Sequence, residues 1–394
     1  MAQGSFLPYG RQSIDEDDIA AVAEVLRGDF LTTGPTVEAF EKALAEKVGA
    51  RYAVSCNSGT AALHICAMAL GLGPGDAVVV PSLTFLATAN AARYVGAEVL
   101  FCDVDPETGL ITADAVQEAL SRAGSLTPKA IFPVHLNGQP APLAELQRFG
   151  LAVVEDSCHA IGTLYDGDLP VGSCRHSVAS CFSFHPVKTI AMGEGGAVTL
   201  NDPVMAERLR LARSHGIIRD QFLIPEQALD RQGKNNPWYY EMPSPGYNYR
   251  ASDINCALGL SQLRKLDGFV AKRAELVAAY DRALEGLSPH VRPIGRVAQS
   301  RPGWHLYVVK MDFAALGLER AEVMARLRAF GVGSQVHYLP VHRQPYYRDR
   351  YGALTLSGAD QYYDACLSLP LFPAMTEGNV AKVVDAIRGV VISS

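Results

Sequence analysis

The sequence predicts an α/β fold, in which a large domain with a mostly parallel sheet is followed by a small C-terminal α+β domain. Two observations carry this. Between about residues 49 and 260, short apolar runs alternate with helical stretches, and most runs are continuously apolar, the mark of strands covered on both faces. Beyond residue 260 the rhythm changes to helices with fewer strand-like runs. A chain of 394 residues also exceeds what one hydrophobic core usually supports, so two domains are expected, 1–260 and 261–394, the second opening on a linking helix.

Each element has its own signal. A first helix is marked by Ser13 and Glu16, a Ser-x-x-Glu capping box ahead of Ile19, Val22 and Leu26. A second, from Val37 to Val48, puts Val37, Phe40, Leu44 and Val48 on one face and stops at Gly49. Strands are expected at Ala53–Cys56, Ala77–Val80, Glu98–Asp103, Lys129–Val134, Ala152–Glu155, Val178–Phe184 and Gly196–Leu200. Helices between them imply right-handed crossovers. Ligands of such sheets bind outside the carboxyl ends of the strands, so chemistry is sought just after each run. Arg219–Tyr249 breaks the rhythm, with Pro225, Pro237, Pro243 and Pro245 among Trp238, Tyr239 and Tyr240, as a functional or interface loop does. A long helix is expected from Ser252 to Leu284. Strand-like runs at Trp304–Met311 and Val332–Tyr338, a helix at Arg320–Phe330 and a last helix from Asn379 complete the chain.

Composition narrows the function. A net charge of −6 with no clustered basic face gives no nucleic-acid footprint. The N-terminal stretch through Asp18 lacks the basic start and apolar core of a secretory signal, and no apolar run is long enough to span a membrane. The eight cysteines are scattered without a CxxC pair, so no metal site is expected and the thiols read as free, in a reducing cytoplasm.

Three short segments carry candidate chemistry. Val153–His159 ends an apolar strand in a carboxylate, Asp156, at the expected crevice. Such an acid can be a helix cap, or the anionic partner of a cationic ring nitrogen, which pyridoxal enzymes need to make the pyridine an electron sink. Cys181–Lys188 follows another buried strand and precedes the turn Gly193–Gly196. A lysine there can be a solvated strand end, or an amine nucleophile if burial or a neighbouring cation lowers its pKa. Asn57–Leu63 ends a strand in Ser58-Gly59-Thr60 at a helix start, an ordinary N-cap or a phosphate seat of free amides and hydroxyls. Together, in this chain order, the three mark one pyridoxal phosphate site. Phe85 follows another strand and is either a core side chain or a plate against the ring.

Asn57–Leu63, Glu155–Ala160, Ser183–Lys188 with Gly193–Gly196, Arg213–Gly216 and Gly246–Arg250 resemble the DegT/DnrJ/StrS sugar aminotransferases over essentially the whole chain. Trp304–Tyr307 and Gln335–Tyr338 are similar to the branch that makes pseudaminic-acid precursors, the UDP-4-amino-4,6-dideoxy-N-acetyl-β-L-altrosamine transaminases. The resemblance implies an aspartate-aminotransferase-like fold (fold type I) and a cytoplasmic enzyme that transfers an amino group from L-glutamate to C4 of a UDP-linked 4-keto-6-deoxy-hexosamine. It implies pyridoxal 5′-phosphate held by Lys188 as a Schiff base, with pyridoxamine phosphate as the intermediate form. It places Asp156 on the ring nitrogen, His159 near the ring oxygen or face, and Gly59, Thr60 and Ser183 on the phosphate. Asn248 would reach the cofactor of a neighbouring subunit, making a homodimer with shared sites. Tyr9, Asp29, Phe30, Leu31, Thr32, His185, Gln335, Val336, His337 and Tyr338 would meet the sugar nucleotide, and Arg250 and Arg213 are candidates for the donor's carboxylate. Relatives that dehydrate C3 carry histidine in place of the lysine, so Lys188 points to amino transfer. Three alternatives stay open: a C3 or C4 aminotransferase acting on a dTDP- or GDP-linked keto-sugar, a cysteine desulfurase, which needs a mobile cysteine, and a non-catalytic regulator, which usually carries a DNA-binding segment.

Overall fold

In a computed structural model, which describes residues 6–392, the chain opens on α1 (Glu16–Arg27). The cap is Asp15 and not Ser13, contrary to the sequence pattern. The Asp15 carboxylate accepts from the Asp17 and Asp18 amides, and Asp18 reaches back to the Asp15 amide at 3.1 Å. A carboxylate also suits the positive end of the helix better than a hydroxyl does, while the Ser13 carbonyl accepts from Gln262 at 2.9 Å. Helix α2 (Pro35–Val48) ends at Gly49, whose φ of 73° is the left-handed conformation glycine tolerates best.

Five strands follow with helices between them: β1 (Tyr52–Cys56), α3 (Gly59–Ala69), β2 (Asp76–Pro81), α4 (Leu86–Tyr94), β3 (Glu98–Cys102), α5 (Ala113–Ser121), β4 (Thr127–Ile131), α6 (Leu143–Leu146) and β5 (Ala152–Asp156). A short hairpin, β6 (Leu164–Tyr165) and β7 (Leu169–Pro170), leads to β8 (Ala179–Ser183), β9 (Gly196–Leu200) and α7 (Pro203–Arg213). All seven expected runs enter one sheet in the order β1-β9-β8-β5-β4-β2-β3. Strand β9 runs antiparallel to β1 and β8 on either side of it, and the other pairings are parallel. Alternate residues face opposite sides of the sheet, and both sides are apolar: Val78 and Val80 join one core, Ala77 and Val79 the other. Because β1 and β8 both run against β9, the carboxyl ends of β1, β5 and β8 share one edge.

The stretch 219–249 is irregular apart from the short α8 (Pro225–Ala228) and exposes Trp238 (71%), Tyr240 and Met242. The single long helix expected next is two, α9 (Asp253–Arg264) and α10 (Leu266–Leu284). At Lys265 the amide bonds to Gln262 three residues back instead of four, and its ammonium pairs with Asp15 and with Asp18, which it reaches at 2.9 Å.

The remaining elements are β10 (Val291–Pro293), β11 (Tyr307–Met311), α11 (Arg320–Ala329), α12 (Pro345–Tyr351), α13 (Ser357–Ala365), β12 (Cys366–Leu369) and α14 (Glu377–Ile392). They form a three-stranded antiparallel sheet, β10-β11-β12, with a third core between it and α10, α11 and α14. Two sequence readings change here. The strand expected from Trp304 starts at Tyr307. Val332–Tyr338 is not a strand; among the described residues it makes only single bridges, Val332 to Leu7 and Gln335 to Ser368, because β12 takes the place beside β11.

One cap from a residue remote in sequence ties the start of α2 to the start of α9. Gly34 has no side chain to cap α2, and the buried Asp253 accepts from the Gly34 and Thr36 amides at 2.8 and 3.0 Å. Asp253→Ala is expected to cost about 2 kcal/mol, read by urea denaturation, because two amides lose their acceptor. A loss under about 0.5 kcal/mol would contradict this role.

Candidate active site

The shared edge of β1, β5 and β8 opens into a cavity of about 480 Å³. Strand β5 delivers Asp156, only 5% exposed. Its Oδ1 accepts from the Cys158 amide at 3.2 Å and its Oδ2 from the Thr88 hydroxyl at 2.6 Å, while Thr84 and Thr88 share a 2.8 Å hydroxyl contact. No cation pairs with it among the described residues. A buried carboxylate is costly unless paired and hydrogen-bonded, so Asp156, lining a cavity, calls for a cationic group on whatever fills it.

Strand β8 ends at Ser183 and turns through His185 to Lys188, whose amide donates to the His185 carbonyl at 2.8 Å. The Lys188 amine lines the same cavity and takes no hydrogen bond or ion pair among the described residues. Burial pushes its pKa below the usual lysine value, against the pull of Cys158 and Asp156.

Strand β1 leads into α3, where the Ser58 hydroxyl caps the helix by accepting from the Ala61 amide at 3.1 Å. The Gly59 and Thr60 amides, at the open end of the helix, remain for an anion. Space at this turn is very limited. A Cβ on Gly59 would lie 2.8 Å from Ser183 Cβ and 2.9 Å from Cys158 Sγ, and one on Gly196 would lie 2.3 Å from the Ser58 carbonyl oxygen. Only glycines let the three strand ends close on one another.

Of the residues singled out in the sequence, Tyr9, Gly59, Thr60, Phe85, Asp156, His159, Ser183, His185, Lys188, Gln335, Val336, His337 and Tyr338 line this cavity. Phe85, 56% exposed, stands where the cavity meets solvent. Asp29, Phe30, Leu31 and Thr32 do not line it; they lie exposed between α1 and α2. Asn248 is also exposed and outside it, and Arg250 turns to the Ser214 hydroxyl at 3.2 Å. Thr84 and Thr88 escaped the sequence reading, and Glu194 and His305 stand within the motifs Gly193–Gly196 and Trp304–Tyr307 without a role of their own being assigned there. Thr88 lies in a helix far from β5 in sequence, and nothing in its local pattern shows that it reaches Asp156.

A group of histidines closes the far wall. His159 Nε2 meets the Tyr338 hydroxyl at 3.0 Å, the His159 and His305 rings are 4.4 Å apart, and His337 bonds to the Ser368 hydroxyl at 2.8 Å. Burial, with Lys188 nearby, drives His159 and His305 far below the usual histidine range and His337 down to about 3. All three therefore stay neutral at ordinary pH.

Fold and cavity together are those of the aminotransferases built on the aspartate-aminotransferase plan. The chain belongs to the DegT/DnrJ/EryC1/StrS aminotransferase family, whose model matches residues 12–388. It is 38% identical to the spore coat polysaccharide biosynthesis protein SpsC of Bacillus subtilis (strain 168), over 98% of this chain and 97% of that one. Among solved structures it is similar to Helicobacter pylori PseC, an aminotransferase involved in the biosynthesis of pseudoaminic acid, with 28% identity, a TM-score of 0.88, and 99% and 100% of the two chains covered. Spr1654 from Streptococcus pneumoniae, described as a sugar aminotransferase and solved in its PLP-form, matches at 26% identity with a TM-score of 0.86 over 98% and 99% of the chains.

The neutral histidines set a pH dependence. In the unfolded chain they titrate near ~6.5, whereas the folded protein resists protonating them, so below that value the unfolded state binds more protons. Stability is full above about pH 6.5 and falls as pH drops below it. The urea midpoint is expected to decline from about pH 7 to 5, with the same sign from His64 and His342. A midpoint that rises over this interval would contradict the neutral assignment.

Proposed function

We propose that the protein is a pyridoxal-phosphate-dependent aminotransferase that moves an amino group from L-glutamate to C4 of a UDP-linked 4-keto-6-deoxy-N-acetylhexosamine, for amino-sugar biosynthesis of the pseudaminic-acid type. The observation that carries the reading is the convergence of an unpaired amine, a buried carboxylate lacking a cation and an open helix N-terminus on one cavity. The similarity to PseC and to a polysaccharide biosynthesis protein supports the sugar substrate.

The residues present fit the cofactor. The uncompensated Asp156 suits a protonated pyridine nitrogen, and the helix start at Gly59 and Thr60, which lines the same cavity, suits a phosphate. Bound there, pyridoxal phosphate supplies a cationic ring that takes up the electron pair left when a C–H bond beside nitrogen breaks. Lys188 Nζ would hold it covalently and, once released, take and return the proton at the donor's α-carbon. Its lowered pKa leaves more of the amine neutral for that work. The Gly59 and Thr60 amides with the Ser183 hydroxyl would anchor the phosphate, and Phe85 would lie against the ring. Neutral His159 would sit near the ring without adding a competing cation. Tyr9, His185, Gln335, Val336, His337 and Tyr338 would form the sugar side of the cavity. Asn248 would serve the cavity of a second copy, for which an exposed position outside its own cavity is suited. The exposed Trp238, Tyr240 and Met242 would be buried in that dimer.

Purified protein incubated with the cofactor, L-glutamate and the UDP-linked keto-sugar is expected to yield the 4-amino sugar and an equal amount of 2-oxoglutarate. No amino-sugar product from this or any other nucleotide-linked keto-sugar would overturn the proposal. Lys188→Ala should lose the visible absorbance of the bound cofactor and at least about 10²-fold in turnover; undiminished turnover would refute its role. Thr88→Val should weaken cofactor binding about tenfold, because a hydrogen bond to a charged carboxylate is lost.

A further inference from the structure

Asn137 is fully buried between β4 and β5 yet has a φ of 62°, a conformation rare for residues other than glycine. That turn points its backbone amide at His159 Nδ1, 3.4 Å away. The side-chain Nδ2 and the backbone carbonyl are both bonded, while the buried side-chain Oδ1 has no partner among the described residues. The Nδ2 donates to the Tyr362 hydroxyl at 2.9 Å, and the carbonyl accepts from the His305 amide at 3.1 Å.

This contact decides where the His159 proton sits. A neutral imidazole carries one N–H, and which nitrogen bears it follows from the bond the other makes. Nδ1 faces an amide, which can only donate, so Nδ1 must be the acceptor and the proton belongs on Nε2. Nε2–H then donates to the Tyr338 hydroxyl oxygen, 3.0 Å away. The Tyr338 proton is not used in that bond. Tyr338 lines the cavity, and burial keeps its phenol protonated. We propose that Asn137 is a positioning residue, which through the tautomer of His159 turns the Tyr338 hydroxyl proton into the cavity as a donor to an oxygen of the bound molecule. With the opposite tautomer, Tyr338 would spend its proton on His159 and offer the cavity only an acceptor. The identity of that oxygen rests on the proposed reaction; the tautomer does not.

Histidine labelled with ¹⁵N in the cofactor-bound protein tests this, with the His159 signals assigned by their loss in His159→Gln. The expected pattern is a protonated Nε2 and a bare Nδ1, and Asn137→Gly, which adopts positive φ freely, should keep it. A protonated Nδ1 or an imidazolium at neutral pH in the unsubstituted protein, or loss of the pattern in Asn137→Gly, would overturn the proposal. In kinetics, Tyr338→Phe and Asn137→Ala should each lower kcat/KM for the keto-sugar about tenfold, and the double variant should lose little more than either alone. Additive losses, or no loss from Asn137→Ala, would equally overturn it. Absence of turnover on every keto-sugar would defeat the proposed reaction and leave the ¹⁵N result to decide this inference.

Discussion

The site depends on one buried carboxylate that pairs with no cation among the described residues. Asp156 ends β5 under the cavity, held by the Cys158 amide and the Thr88 hydroxyl. Two neutral donors orient it without neutralising it. An ionised group in that setting is expensive for the folded chain alone, and that cost becomes binding energy once a ligand brings the matching charge. The neutral histidines follow the same logic, since a protonated imidazole in this cavity would compete with the ligand's cation. Burial next to the Lys188 amine keeps them neutral.

The fold exists, for this purpose, to bring three strand ends together. With β9 antiparallel between β1 and β8, the phosphate seat, the lysine turn and the aspartate reach the same edge. Gly59 and Gly196 then permit an approach that any side chain would block. The C-terminal part supplies the other wall through residues 335–338, anchored where Gln335 bridges Ser368 of β12. Buried Arg273 of α10 holds the chain around Trp304, His305 and Leu371 through their carbonyls, which sets His305 against His159.

Much of this was readable along the chain, and for a physical reason. Strands covered on both faces are apolar throughout, so most of the seven are marked by their composition, as are the polar residues standing at their ends. Asp156, Lys188 and Ser58-Gly59-Thr60 were therefore visible as strand-end chemistry. The Ser-x-x-Glu pattern favours Ser13 as the cap of α1, whereas Asp15 with Asp18 caps it in the fold, and the Ser13 carbonyl is taken by Gln262, remote in sequence. Val332–Tyr338 looked like a strand because its composition fits one, whereas the vacancy beside β11 is decided by β12. Thr88 and Asn137 were invisible for a further reason: each acts through a contact across the fold that leaves no periodic trace in sequence.

The protonation state of the cofactor's ring nitrogen tests the central role of Asp156 most directly. Pyridoxal phosphate labelled with ¹⁵N in the ring, bound to the protein, is predicted to show a protonated nitrogen at neutral pH and to lose that proton in Asp156→Asn. A deprotonated nitrogen in the unsubstituted protein, or one that stays protonated in Asp156→Asn, would contradict the account.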